Sequence, residues 1–276
     1  MVYLIRRRKL GRGSCRGIKT FSRTGIGVFR NDKANIPPAE LVFRWGCTSD
    51  LPGNPKVINK AEAIHLVSDK LEFRKRLNEA DLCPDTYFTK EEVCFPAVVR
   101  PRVHAQGRKL WVANNYFDLE QAIMRCPNGW YASQLINKTA EYRVFVAQGR
   151  AVWVAKKTPG NPDQVAWNVA QGGRFDNVRW DEWPLKAVRV SIEAFKLSGL
   201  DFGGVDVMVD AEGECYVLEI NAAPSQTSPY RQECVAKAFD YIVRNGKQEI
   251  PMVDAKGGYK KFIHPAVSAE AQMVGA

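Results

Sequence analysis

Histidine is scarce in this 276-residue chain, and cysteine is never paired at short range. Three histidines, at positions 65, 104 and 264, stand far apart, and none of the seven cysteines forms a C-x-x-C pair. A zinc centre of the usual ligand spacing is therefore excluded. An odd number of cysteines argues against a disulfide framework and for a reducing compartment, so a cytoplasmic location is expected. No apolar run approaches the roughly 20 residues that span a bilayer, and no membrane partner is expected. Met1–Ile5 precede the charges Arg6, Arg7, Arg8 and Lys9, the reverse of the order in a secretory signal. Internal repeats and low-complexity linkers are absent. So are a nucleophile elbow and a Cys/His motif, which leaves no sign of a covalent side-chain intermediate. Gly13–Thr20 is not a P-loop, because Ile18 separates Gly17 from Lys19.

What the chain has in excess is positive charge. Its net charge of +10 favours an anionic partner, whether nucleotide, acidic peptide or nucleic acid. Arg6, Arg7, Arg8, Lys9, Arg12 and Arg16 form the strongest local cluster, which is either a nucleic-acid patch or a solvated strand end and loop. Hydrophobic residues make up 45% and charged residues 25%, ordinary proportions for a globular chain, and the length suffices for a large core.

The stretch richest in chemistry is Gly203–Asp210 answered by Tyr216–Pro224. Two β-rich runs flank Ala211-Glu212-Gly213-Glu214, which reads as a hairpin turn. Pairing Asp210 with Cys215, or turning at Glu212-Gly213, sets Asp206 opposite Glu219. Opposed like charges lie about 4.5–5.5 Å apart between Cβ atoms and destabilise a sheet. Asn221 shares the face of Glu219, because strand side chains alternate with period two. Two carboxylates and an amide oxygen on one face suit a hard cation such as Mg²⁺, which commonly binds one or two carboxylates plus substrate phosphates. Val205, Val207, Val209, Leu218 and Ile220 are expected on the opposite, core-facing side. The simpler reading is an exposed hairpin with its acids in water.

Elsewhere the pattern predicts strands over 2–6, 41–45, 56–58, 95–100, 109–113, 130–136, 141–146 and 151–155. Helices are expected over 14–24, 61–80, 119–126, 184–198 and 231–244, with a long loop at 158–180 and a loose tail at 266–276. Mixed elements with prominent antiparallel hairpins predict an α+β, or mixed α/β, architecture.

In order, the chain carries Val57-Ile58-Asn59-Lys60, Ser68-Asp69-Lys70-Leu71, Cys83-Pro84-Asp85-Thr86 and Phe95–Pro101. These are followed by a short loop with Gly107, then Ser133-Gln134-Leu135-Ile136, Glu141-Tyr142-Arg143, Asn168 with Gly172-Gly173, and the Asp206…Glu219-Ile220-Asn221 hairpin. The series, from about residue 55 to 226, resembles the ATP-grasp ligases, especially carboxylate–amine ligases of the ribosomal-protein glutamate ligase type. The resemblance implies ATP held between two α+β subdomains, with a reduced strand–helix layer before them. Subdomains are expected at 1–60 (the reduced N-terminal layer), 61–136 (central, with the phosphate loop) and 137–265 (C-terminal, with the metal site), then a tail at 266–276. The short first layer resembles phage-encoded members of the superfamily.

By the same resemblance Asp206, Glu219 and Asn221 match metal ligands for two Mg²⁺ ions, with Mn²⁺ as a substitute. Lys70 matches a phosphate-contacting lysine, the alternative being an exposed helix cation. Arg100 stands where the family has lysine, a planar fork in place of a point charge. His104 and Gly107 lie in the place of the glycine-rich phosphate loop, which reads equally as an ordinary hairpin turn. Gln134, Leu135 and Ile136 match the adenine hinge, and Glu141 an acid that reaches ribose or the second subdomain. Arg143, on the face of Glu141, either touches phosphate and acyl-phosphate or makes a cross-strand salt bridge. Asn168 belongs to a segment that in the family begins with a transition-state arginine; Ala166 stands there, leaving Lys156, Lys157 or Arg174 to supply the charge.

The implied reaction joins a carboxylate (of a peptide, protein or amino acid) to an amine through an acyl-phosphate. Two alternatives stay open, a catalytically degenerate nucleotide-binding module and a basic nucleic-acid-binding protein. Trp167, Phe175, Trp180 and Trp183 form either a recognition surface or the packing of a long loop.

Overall fold

A computed structural model describes residues 1–6, 27–30, 38–104, 109–161, 164–167 and 172–250. The helix expected over 14–24, the loop glycine Gly107, Asn168 and the tail at 266–276 lie outside the described residues. The described chain forms three sheets.

The first sheet has the order β2-β1-β3-β4, with β1 Val2–Arg6, β2 Gly27–Arg30, β3 Leu41–Trp45 and β4 Lys56–Ile58, and every pair is parallel. Its strands read as continuous apolar runs because a parallel sheet is covered on both faces: Leu4, Ile5, Val42, Phe43 and Trp45 are all buried. Asn59 closes β4 in a left-handed conformation (φ 67°) and is fully buried. Its Oδ1 accepts from the Asp201 and Phe202 N–H groups at 2.7 and 3.0 Å, and its Nδ2 donates to the Phe202 carbonyl at 2.9 Å. One amide side chain thus fastens the first sheet to the third.

The single helix expected over 61–80 is two helices, α1 Ala61–Ser68 and α2 Lys70–Glu79. Asp69 leaves helical geometry (ψ 93°) and caps α2, accepting from the Glu72 N–H at 3.3 Å. The same carboxylate pairs with Arg102, a partner no local pattern reveals.

The second sheet is antiparallel in the order β5-β8-β6-β7, with β5 Thr86–Tyr87, β6 Ala97–Pro101, β7 Trp111–Ala113 and β8 Trp130–Gln134. Helix α3, Tyr116–Met124, starts at the Asn115 cap, earlier than expected, and buries Leu119 and Ala122 against Ala97, Val99 and Ala132.

The third sheet has five antiparallel strands in the order β11-β10-β9-β12-β13. They are β9 Lys138–Ala147, β10 Arg150–Thr158, β11 Arg174–Asn177, β12 Phe202–Asp210 and β13 Cys215–Asn221. Strand β11 lies inside the stretch expected to be loop, because Phe175 has a packing partner on the sheet face. Helix α4, Leu185–Ser198, covers one face through Ala187, Val188, Ala194 and Phe195 against Val144, Val205, Val207 and Val217. The other face is shared. One end packs Phe145, Trp153 and Phe202 on Phe43, Trp45 and helix α5, Pro229–Asn245, with Phe43 and Phe239 stacked at 4.4 Å. Such ring pairs contribute about 0.5–1.5 kcal/mol each beyond their buried area. The remaining end is left for the site.

Asp206 stands opposite Glu219, as expected, but the hairpin reaches that register differently. Val209, not Asp210, pairs with Cys215, around a three-residue loop whose Gly213 has φ 81°. A bulge then inserts Leu218, so that both Leu218 and Glu219 face Asp206. Leu218 consequently leaves the core face assigned to it and lines the cavity described below, while Val217 takes the core position. Among the described residues no helix is long and apolar enough to cross a membrane.

Candidate active site

Strand register places two transverse rows of side chains on the open face of the third sheet. The first runs Asn177, Ala155, Arg143, Asp206 and Glu219 across all five strands. The second, one pleat away, runs Phe175, Lys157, Glu141, Met208 and Tyr216. Alternation in β9 and β10 therefore interleaves cations with the acids, and Gly204 makes room for it. A Cβ there would meet the Pro224 side chain at 2.9 Å and Arg143 Cδ at 3.5 Å.

Asp206 is 2% exposed and carries three charge-assisted bonds. Arg143 Nε and Nη2 donate to its two oxygens at 2.6 and 2.7 Å, and Lys157 Nζ donates at 2.9 Å. Lys157 also bonds Glu141, whose other oxygen accepts from Lys138 at 2.6 Å. Burial pushes Asp206 up, but Arg143 and Lys157 outweigh it and hold the carboxyl below its ordinary range. Glu219 is likewise raised by burial and more strongly lowered by Lys70 and by the Asn221 amide, which donates at 3.0 Å. Burial lowers the Lys138 ammonium, with Glu141 opposing.

Lys70 is 14% exposed; it lies 3.4 Å from Glu219 and donates to the Ile220 carbonyl at 3.2 Å, so it is not a free helix cation. Of the two roles considered for Arg143, the structure displays the cross-strand salt bridge, reinforced by the Phe175 ring at 4.7 Å. Arg74 donates to the carbonyls of Val217 and Leu218, the peptides carried out of the ladder by the bulge.

A cavity of about 550 Å³ lies between the second and third sheets. Of the expected residues, Arg100, His104, Gln134, Leu135, Ile136, Glu141, Asp206 and Glu219 line it. Lys70, Arg143 and Asn221 stand directly behind, each bonded to one of its acids. Arg174 does not: it is 73% exposed and paired with Asp176, so it is not the missing cation. Ala166 lines the cavity without charge, and the buried cation nearest the acids is Lys157. The N–H groups of Gln134 and Leu135 are taken by the carbonyls of Asp85 and Pro96, at 2.9 and 3.1 Å. Hydrogen bonds to a base would come from other backbone atoms of this stretch.

His104 is not a simple turn residue. Arg100 donates to its Nδ1 at 3.4 Å, which puts the ring proton on Nε2, facing the Tyr131 hydroxyl at 2.8 Å. Burial first, and then the charge of Arg100, bring its pKa down to about 3, so the ring is neutral. Lys138, Arg74, Tyr131 and Met208 line the cavity without having been expected there. A bulge at Thr139 turns Lys138 to the acid face, which strict alternation from Glu141 denies it. The loop aromatics divide: Trp183 is core, while Trp167 borders the cavity with Lys138 at 4.5 Å from its ring.

Lys70, Arg74, Arg100, Lys138, Arg143 and Lys157 surround Glu141, Asp206 and Glu219, leaving an excess of positive charge suited to a polyanion. No cluster of three or more His, Cys, Asp or Glu ligands occurs among the described residues. The oxygen donors of Asp206, Glu219 and Asn221 still fit Mg²⁺, provided that a ligand's oxygens complete its shell.

A family model for the ATP-grasp domain, the third family of its clade, matches residues 56–241. The D-alanine–D-alanine ligase of Fusobacterium nucleatum is 27% identical over 176 residues, 58% of this chain and 59% of that protein. The chain thus spans well under two thirds of that relative's length. The structure of a RimK domain ATP-grasp protein from Sphaerobacter thermophilus matches 87% of this chain and 98% of its own, with TM-score 0.61 and 17% identity. The D-alanine–D-alanine ligase of Bacillus anthracis matches 88% and 96%, with TM-score 0.62 and 14% identity. The ATP-grasp ligase PsnB, complexed with a minimal precursor, Mg and ADP, matches 86% and 97%, with TM-score 0.59 and 14% identity. These structural likenesses establish the ATP-grasp fold.

Proposed function

This chain belongs to the ATP-grasp family, and we propose that it is an ATP-dependent ligase joining a carboxylate to an amine. The observation that carries the reading is the opposed pair Asp206 and Glu219, set among buried cations on the wall of a cavity between two sheets. An acid pair in that register destabilises a sheet unless something uses it. The named ligases among the relatives, and PsnB with Mg and ADP, support the same conclusion.

In this proposal ATP lies between the 61–136 and 137–265 units, its base near Gln134–Ile136 and its phosphates toward Arg100, Lys138 and Lys157. Asp206, Glu219 and Asn221 would hold Mg²⁺, which when bound neutralises charge on the transferred phosphoryl group. Arg143 fixes the orientation of Asp206 through its two-pronged bond. Lys157 supplies the buried positive charge where Ala166 offers none. His104, neutral, orients the Arg100 fork rather than carrying charge itself. A carboxylate oxygen of the acid substrate attacks the γ-phosphorus and the bond to the β-phosphate oxygen breaks, leaving an acyl-phosphate and ADP. The amine then attacks the acyl carbon, phosphate departs, and the nitrogen loses its proton. Pre-organised charge provides the acceleration, since no side-chain nucleophile takes part.

Calorimetric titration of Mg·ATP into the wild type and Glu219→Gln, with a metal-free control, tests the site. Metal-dependent binding that collapses in the variant is expected; a folded wild type that does not bind would overturn the reading. ADP release with an acid and an amine present separates a ligase from a nucleotide-binding module without turnover.

A further inference from the structure

One buried charge lies outside the network that the ligase reading uses. Arg231, in the first turn of α5, is 3% exposed, yet no carboxylate pairs with it. Its single side-chain bond is a long one, 3.4 Å from Nη2 to the Thr227 hydroxyl, and its Nε is buried without an acceptor. Its guanidinium lies 5.4 Å from the centre of the Trp153 ring, and that indole N–H is also buried without an acceptor. Gln226, 1% exposed on the segment that leads into α5, leaves both amide atoms unpaired. By contrast, Arg143, Lys157, Lys138 and Lys70 each hold a carboxylate, and Arg74 holds two carbonyls. Leaving a buried charge uncompensated costs about 3–5 kcal/mol, so an anion is the natural complement.

Position says what the anion is. Arg143 and Arg231 lie against the same phenyl ring, 4.7 and 5.6 Å from the centre of Phe175. Arg143 is committed to Asp206, at the acid pair where phosphoryl transfer would occur. Arg231 stands on that sheet face but one ring further away. Burial and the nearby charge of Arg143 bring its pKa down to about 10, with Asp176 opposing. Phe175 sits on β11, an edge strand paired only with β10, so its ring is the movable wall between Arg231 and the acids.

We infer that Arg231 anchors a second, non-reacting carboxylate of the acid substrate, and hence that this substrate is a diacid or an acidic amino-acid unit. The planar fork of Arg231 Nε and Nη2 matches a carboxylate in two-pronged geometry, and Trp153 Nε1 offers a third donor nearby. The assignment rests on the ligase reading for the chemistry of its ligand, and its test keeps the two apart.

The full chain is titrated with glutarate, acetate, inorganic phosphate and chloride at matched ionic strength, and separately with Mg·ATP, following thermal stability. Wild type, Arg231→Lys and Arg231→Met are compared. Glutarate should raise the wild-type midpoint saturably and beyond chloride, with acetate weaker. Its apparent affinity should fall at least tenfold in the lysine variant, and its effect should vanish in the methionine variant. Both variants should keep the Mg·ATP shift, and Arg231→Met without anion should melt no lower than wild type. The inference is overturned if wild type responds to glutarate no more than to chloride, or if acetate or phosphate binds as tightly as glutarate. A methionine variant that retains the glutarate response overturns it too. If that variant does not fold, the wild-type and lysine titrations decide. Failure of wild type to respond to Mg·ATP would refute the ligase reading instead, leaving the anion result intact.

Discussion

The two acids of the hairpin should differ sharply in what they contribute to the fold, and Asp206→Asn against Glu219→Gln measures the difference. Asp206 is 2% exposed and holds Arg143 at 2.6 and 2.7 Å and Lys157 at 2.9 Å. In the asparagine variant Lys157 keeps Glu141, but Arg143 is left buried without a carboxylate. Removing one partner of a buried pair costs about 3–5 kcal/mol. Glu219 faces Lys70 at 3.4 Å, and the two side chains are 28% and 14% exposed. Glutamine can still accept from Asn221, so the loss there is about 1 kcal/mol, as for weak partly exposed pairs. Urea unfolding in EDTA without nucleotide, followed by tryptophan fluorescence, reads both. Asp206→Asn should lose at least about 2 kcal/mol more than Glu219→Gln. The gap has a pH signature. Arg143 and Lys157 hold the Asp206 pKa below its unfolded value of about 3.9, against burial, so its stabilisation is full above that value. It is lost as pH falls through the lowered folded value. The wild-type advantage over Asp206→Asn should therefore be flat from neutral pH to about pH 5 and close below about pH 4. Equal losses in the two variants, or an advantage that disappears above pH 5, would refute the counter-ion account of Asp206.

Three further outcomes are expected. His104 has a folded pKa of about 3, against about 6.5 unfolded, so only the unfolded chain takes up this proton between those values. Stability should fall on acidification by up to about 1.4 kcal/mol per unit from this group, and His104→Gln should remove that slope in pH-dependent unfolding. Asn59→Ala deletes three buried bonds to Asp201 and Phe202 and leaves alanine at φ 67°, so a loss of about 3–4 kcal/mol is expected in denaturant unfolding. A loss under about 1 kcal/mol would mean that the first sheet is fastened to the third elsewhere. Arg74→Met frees the carbonyls of Val217 and Leu218, and should raise amide exchange around the bulge and weaken Mg·ATP binding at least tenfold. Unchanged exchange there would show that the bulge holds without Arg74.

Long alternating strands were legible in the chain because one face of each meets a continuous apolar core: the run over 141–146 sits inside Lys138–Ala147, and that over 203–210 nearly fills Phe202–Asp210. Period-two reasoning then fails wherever a bulge adds a residue, and here the bulges lie beside the cavity. Thr139 is extra in β9 and turns Lys138 to the acids; Leu218 is extra in β13 and turns itself there. The opposition of Asp206 and Glu219 was foreseen through a register that does not occur at the turn. Val209 pairs with Cys215, and an unbroken ladder from that pair would set Asp206 against Leu218 and send Glu219 toward the core. Only the inserted residue brings both acids to one face. The carbonyls that the bulge disturbs are bonded by Arg74, which comes from α2, far away in sequence. No local pattern could disclose that brace, nor the burial of Arg231 between Trp153 and Phe175. In both cases an arginine's meaning depends on a distant element. In an unbulged hairpin Asp206 would still meet Arg143 across β9, but Glu219 would be gone from the cavity. The second carboxylate of the acid pair is thus supplied by a defect in the ladder, held open by a cation from another layer of the fold.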